Sequence, residues 1–205
     1  MNMNQKVKAG YNKAAKNYAS EFRDQFKNEK HLEKLTHVLP ANSTVLDIGC
    51  GSGKPIDTYL ISKRMRVTGI DISEAQIELA KENVPEAMYE VRDMSELTDG
   101  EFQVDAVVSF YAIFHTPRER HSKLLRTFKS FLKPNGYLLI TMGANDWEGK
   151  EDNFCGSEMY WSHYGADKNK ELVQEAGFEI VFSEIDDAGG EKHLVILAKA
   201  KFGGN

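Results

Sequence analysis

Cysteine is nearly absent: Cys50 and Cys155 are the only two in 205 residues. Two thiols build neither a disulfide framework nor a cysteine metal cluster, and no metal is expected. Cys50, inside a glycine turn, reads as a small buried filler, and Cys155, in a polar segment, as a free thiol. No run approaches the roughly eighteen apolar residues of a membrane helix. The first residues, MNMNQKVKAGYNKAAKNY, lack an apolar signal core, so a cytoplasmic chain with no membrane partner is expected. A basic stripe is missing too. The net charge is −5 with lysines and acids interspersed, which argues against a nucleic-acid partner. The length suffices for one full core and is short for two, so residues 1–205 are expected to form a single domain.

What is present is an alternation of two periods. Tyr11, Ala14, Ala15 and Tyr18, then Leu32, Leu35, Val38 and Leu39, recur at helical spacing up to Pro40. Short apolar strands follow at 44–48, 66–71, 87–94, 104–114 and 136–143, the fourth being the most apolar and hence central. Helices are expected at 54–63, from Ser73 onward, at 118–132 and at 168–176. The last two runs, FEIVFSEID and HLVILAKA, flank the turn-rich DAGGEK and suit an antiparallel hairpin. The reading is α/β: a Rossmann-like, doubly wound, seven-stranded sheet with a C-terminal antiparallel hairpin and helices on both faces.

The stretch TVLDIGCGSGKP, 44–55, runs a strand into Gly49, Gly51 and Gly53. A phosphate loop would need a glycine where Ile48 stands and a hydroxyl where Pro55 stands. The dinucleotide fingerprint would need its third glycine at Lys54, and a pyrophosphate is poorly served by Asp47 beside the turn. A tight turn without a ligand is the alternative for the glycines alone. Acids at other strand ends extend the pattern. Asp71 ends the second strand, where it suits ribose hydroxyls, and Asp93 ends the third, where it suits an adenine amine with Met94 on the ring. One such acid is an ordinary turn former; three in register with the glycines suit a cationic nucleoside.

VLDIGCGSG, VTGIDIS, VRDM, VDAVVSFYAIFH and FLKPNGYLLIT together resemble the class I S-adenosylmethionine-dependent methyltransferases. The likeness is to their small-molecule branch, that of the ubiquinone and menaquinone biosynthesis enzymes. Asn135 departs from it, standing where many relatives have glycine. Asparagine tolerates a left-handed turn.

The resemblance implies S-adenosyl-L-methionine as cofactor. It implies Asp47 at the methionine ammonium, Gly49, Cys50 and Gly51 along the methionine and ribose, and Asp71 on the ribose hydroxyls. Ile72 would lie on the adenine, Asp93 and Met94 at its amine and edge, and Ser109 and Phe110 along the methionine. Tyr11, ahead of Tyr18, is the choice for the cofactor carboxylate; packing of the helix is the alternative. The chain then divides into a helical cap (1–40), a cofactor-binding core (41–142), a substrate lid (143–167) and a C-terminal helix with hairpin (168–205).

Methyl transfer needs alignment and a dry cleft, and a base only where the acceptor loses a proton. His115, in YAIFHTP, is the base candidate, with a loop-holding role as the alternative. In the aromatic stretch 145–166, Tyr160, Trp161 and His163 are expected at the acceptor, unless the stretch merely covers the sheet edge. Arg118 and Arg120 suit an acidic substrate or plain surface, and His193 reads as structural. A small-molecule acceptor and a monomer or homodimer are expected. A non-catalytic S-adenosylmethionine-binding protein and an NAD-dependent oxidoreductase are the rival readings.

Overall fold

A computed structural model describes residues 3–22, 28–187 and 191–202, with the backbone alone at 16–22. Helices α1 (Met3–Phe22) and α2 (Glu29–Val38) precede β1 (Thr44–Ile48), α3 (Ile56–Ser62), β2 (Arg66–Asp71), α4 (Glu74–Asn83) and β3 (Met88–Val91). Then come β4 (Val104–Ser109), α5 (His121–Ser130), β5 (Leu132–Gly143), β6 (Trp147–Phe154), β7 (Ser157–His163), α6 (Ala166–Glu175), β8 (Phe178–Asp186) and β9 (His193–Ala200). None of the described helices is long and apolar enough to cross a membrane.

Seven strands form one sheet in the order β3-β2-β1-β4-β5-β9-β8. The first five are parallel, and β9 runs antiparallel to both β5 and β8. Side-chain alternation covers both faces, as a doubly wound sheet requires. Leu46, Ile48, Val107, Leu138 and Ile140 pack toward Leu125 and Phe128 of α5 and Leu172 and Val173 of α6. Val45, Val67, Val108, Leu139 and Val195 pack toward Leu32 and Leu35 of α2 and Tyr59 and Leu60 of α3. The winding direction reverses between β1 and β4. A crevice opens at the carboxyl ends of strands at such a switch point. Asn135 adopts the left-handed conformation (φ 66°), the turn geometry that asparagine tolerates.

Three elements differ from their sequence expectation. The fourth strand stops at Ser109 instead of running to 114, because Tyr111 turns left-handed (φ 54°) and folds Ala112 back over Gly49. The helix expected from Arg118 begins as a single 3₁₀ turn, and the α-helix proper spans His121–Ser130. Residues 145–166, read as an aperiodic lid, contain a two-stranded antiparallel ribbon, β6 with β7. Its turn is Cys155–Gly156, both at positive φ (49° and 84°), the pattern of a tight hairpin.

That ribbon is clamped between α1 and the end of β5. Met159 of β7 is buried, and its methyl group would lie 3.0 Å from a side chain at Gly10 of α1. At Gly143 an added Cβ would lie 2.0 Å from Nδ1 of His163. Gly143→Ala is therefore expected to push the ribbon off the sheet at a cost of about 1–3 kcal/mol. Limited proteolysis should then cut between residues 144 and 165 faster than in the parent. An unchanged rate would mean that His163 swings aside freely.

Candidate active site

The crevice is a cavity of about 430 Å³ at the ends of β1, β2 and β4, roofed by α1 and the ribbon. The glycine turn forms its floor. Gly49 (φ 81°) and Gly51 (φ 53°) are left-handed, and a Cβ on Gly49 would lie 2.4 Å from that of Ala112. Gly49 and Cys50 both donate their N–H groups to the Ile70 carbonyl (2.8 and 3.0 Å), tying the turn to β2. Asp71 is gripped by backbone donors from Gly51 (3.0 Å) and Ser73 (2.8 Å). Ser73 in turn caps α4 through the N–H of Gln76 (3.2 Å), as its position before the helix predicts.

The site is strongly acidic. Asp47 is 2% exposed and Asp57, in the first turn of α3, is fully buried. Burial pushes the Asp57 carboxyl up to about 6, and that of Asp71 likewise to about 6. Burial, then the neighbouring Asp57 charge, raise Asp47 well above the carboxylate range. Burial also raises the Cys50 thiol. Among the described residues no ion pair reaches any of the three carboxyls. Gln76 is 1% exposed and lines the cavity, yet neither its amide nitrogen nor its amide oxygen has a partner. Unpaired buried amides are costly, so this one is set for a ligand with both donors and acceptors.

His115 stands at the other end. Its Nδ1 lies 2.8 Å from the Tyr160 carbonyl, and its Nε2 lies 2.8 Å from the Tyr11 hydroxyl. A carbonyl only accepts, so Nδ1 carries the proton and Nε2 accepts from Tyr11. Burial lowers the imidazole to about 4, which leaves it neutral near pH 7. Tyr11, Phe154 and Trp161 pack around it with ring centroids 5.2–6.4 Å apart.

The cavity brings together Tyr11, Asp47, Gly49, Cys50, Gly51, Asp71, Ile72, Asp93, Met94, Phe110, His115 and Trp161, all anticipated from sequence. Three anticipated residues stand outside its walls. Ser109 turns its hydroxyl onto the Ile48 carbonyl (2.8 Å), stitching β1 to β4. Tyr160 sends its phenol to the other side of the ribbon, to Lys6 and Glu158, leaving only its carbonyl for His115. His163 bonds the Asn145 carbonyl through Nδ1 (2.7 Å). Arg118 reaches Asp146 and lies over the Tyr164 ring, away from the cavity. His193, read as structural, lines the cavity. The side chain of Tyr18 lies outside the described residues.

Sequence reasoning missed Asn4, Val7, Asn28, Gln76 and Asp57. Asn4, Val7 and Tyr11 share one face of α1, and Asn4 donates to Asp93 (2.8 Å). A periodicity count on α1 centred one turn earlier would have found that face. Away from the cavity, His31, Glu184 and Asp186 converge in a manner that suits a metal, but the Lys30 ammonium already bonds both carboxylates (2.6 and 3.2 Å).

Comparison with known proteins accords with this geometry. The family described as "Methyltransferase domain" matches residues 45–136. The "Putative methyltransferase YqeM" of Bacillus subtilis (strain 168) is 36% identical over 168 residues, which cover 76% of this chain and 67% of YqeM. The 27-O-demethylrifamycin SV methyltransferase of Amycolatopsis mediterranei is 32% identical over 116 residues, 53% of this chain and 42% of that protein. The chain thus spans about two thirds of one relative and under half of the other. In fold it is similar to magnesium protoporphyrin IX methyltransferase of Synechocystis PCC 6803, solved with bound SAM (TM-score 0.74, 17% identity, 98% of each chain). The chain belongs to the methyltransferase family, on the class I S-adenosylmethionine-dependent fold.

Proposed function

We propose that this chain transfers the methyl group of S-adenosyl-L-methionine to a small-molecule acceptor. The observation that carries the reading is the cavity floor: the buried Asp47 and the half-buried Asp71, neither reached by an ion pair among the described residues, beside the unpartnered amide of Gln76 at the switch point of the sheet. Such a floor suits a nucleoside bearing positive charge. The bound cofactor supplies a sulfonium-activated methyl group, so the protein's task is alignment and exclusion of water.

Asp47 would face the methionine ammonium, and Gly49 and Gly51 would let the backbone approach it. Asp71, oriented by two backbone donors, keeps lone pairs for ribose hydroxyls, with Gln76 beside it. Ile72 and Met94 would flank the adenine. Asp93 already accepts from Ser95 and Asn4, so its remaining lone pairs would take the amine. Tyr11 and His115 form a proton relay: the acceptor's proton passes to the Tyr11 oxygen as Tyr11 hands its own to Nε2 of His115. Phe154 and Trp161 wall the acceptor end. The small-molecule branch, that of the ubiquinone and menaquinone enzymes, is supported by the roofed, aromatic-walled cavity and the net negative charge.

Calorimetric titration with S-adenosylmethionine, its demethylated product, NAD and ATP tests this. Only the first two should bind. Asp71→Ala should weaken them about 100-fold, since a charged acceptor of two hydroxyl hydrogen bonds is worth about 3 kcal/mol. Failure of both to bind the parent protein would end the reading. Binding with no methyl transfer to any acceptor would favour a non-catalytic binder.

A further inference from the structure

We propose that Asp57 and Asp47 share one proton beneath the glycine turn, and that this proton is expelled when the cofactor's ammonium group enters. The proposal rests on the cofactor reading above and adds a positioning residue to it. Asp57 is fully buried and Asp47 nearly so, and the two carboxyls are close enough to act directly on each other's charge. Two buried carboxyls side by side, reached by no ion pair among the described residues, cannot both stay ionised, so one of them carries a proton. Asp57 Oδ2 accepts from the Tyr89 hydroxyl (2.8 Å), whereas Oδ1 is buried with no donor upon it. The shared proton is what satisfies the pair.

The titratable groups that face the pair from neighbouring elements divide: Asp71 favours retention of that proton, and the Tyr89 hydroxyl, by donating to Asp57, opposes it. Asp71 from the end of β2 adds negative charge, and Cys50 from the turn, its thiol raised by burial, is neutral. Tyr89 from β3 is a neutral donor to Asp57, its hydroxyl pushed above its ordinary range by burial and by the Asp57 charge. Lys54 lines the cavity after the turn but forms no ion pair with the three carboxyls among the described residues. Both acids are raised by burial. An ammonium beside Asp47 supplies the missing positive charge. The carboxyl O–H then ionises, the proton leaves to solvent, and the pair carries two negative charges instead of one. No other bond changes. Uptake of an ammonium-bearing nucleoside is thereby coupled to proton release, and affinity falls as the medium becomes more acid.

Titrations of the intact protein between pH 5 and 7, below the amino group's own titration, test this with two ligands. S-adenosylhomocysteine carries the ammonium. 5′-Methylthioadenosine has the same nucleoside without it, so it reports any dependence arising at Asp71 and the ribose. The affinity of S-adenosylhomocysteine should rise with pH more steeply than that of methylthioadenosine, by up to tenfold per unit. Paired buffers of different ionisation enthalpy should show close to one additional proton released. In Asp57→Asn, which keeps an acceptor for Tyr89, the excess slope should vanish while both ligands still bind. Tyr89→Phe serves as the second variant: without the phenol that favours a charged Asp57, the excess slope should persist to higher pH. Equal slopes for the two ligands in the parent, or an excess slope unchanged in both variants, would overturn the proposal. If neither nucleoside binds at any pH, the cofactor reading itself has failed.

Discussion

His115→Ala should lower turnover on a hydroxyl or protonated amine acceptor by about 10²–10⁴, the usual contribution of a positioned base, and leave cofactor affinity unchanged. The Tyr160 carbonyl fixes Nδ1 as the protonated nitrogen, so Nε2 has nowhere to turn but the Tyr11 hydroxyl and the cavity. Tyr11→Phe interrupts the same relay, so the double variant should be no slower than the slower single one. Residues that act as a unit are non-additive in this way. An acceptor that reacts as a carboxylate or thiolate loses no proton, and its methylation should be insensitive to both changes. Release of S-adenosylhomocysteine across a panel of acceptors measures all of these. Full activity of His115→Ala on a hydroxyl acceptor would reduce His115 to a peg that holds the ribbon.

The pH dependence follows from the same burial. At saturating cofactor, the acid limb of kcat should lie near pH 4 rather than 6.5, because the imidazole is held at about 4. His121, also buried, is lowered to about 4. Both groups are depressed in the folded state. Their contribution to stability is complete above about pH 6.5 and is lost as pH falls toward 4, where the unfolded chain gains the protons. The raised carboxyls of Asp57 and Asp71 act the other way. They favour the fold at low pH and cost stability as pH rises from about 4 through 6.

Most of the sheet could be read from the sequence because buried parallel strands are continuous apolar runs, and VDAVVS or GYLLIT admit few other readings. The strand-end acids were legible for a related reason: parallel register brings residues that end neighbouring strands to one line. The ribbon was not legible. β6 reads WEGKEDNF and is exposed along most of its length, so no burial imprints an alternation on it. Aromatic content also failed to say which way a ring faces. Neighbouring strand residues point to opposite sides, so Trp161 reaches His115 while Tyr160 goes to Lys6. Gln76 sits in a helix among residues that look solvated, and Asp57 is a lone acid in the apolar turn IDTYLIS; the packing of α3 and α4 buries both. A carboxyl inside a core runs against every compositional expectation, so nothing in the local pattern announces it.

Gly49→Ala should be among the most damaging single methyls that can be added at the described glycines. Two costs meet there. The residue is left-handed at φ 81°, which costs an alanine about 1–2 kcal/mol. Its Cβ would also overlap that of Ala112 at 2.4 Å, and overpacking of this kind costs about 1–3 kcal/mol. The turn cannot yield, since Gly49 and Cys50 are both bonded to Ile70. Ala112 must move instead, and its carbonyl accepts from the N–H of His115 (3.0 Å). The methyl group therefore strains the floor and shifts the His115 imidazole together. A loss of about 2–5 kcal/mol corresponds to a fall in Tm of roughly 10 °C for a chain of this size, with weakened cofactor binding. Calorimetric unfolding separates the two costs through a second substitution. Ala112→Gly removes the clashing carbon but not the backbone strain, so the double variant should recover the packing share and leave about 1–2 kcal/mol unrecovered. Full recovery would mean that φ at Gly49 carries no strain. No recovery would mean that the contact with Ala112 is not what excludes a side chain from the turn.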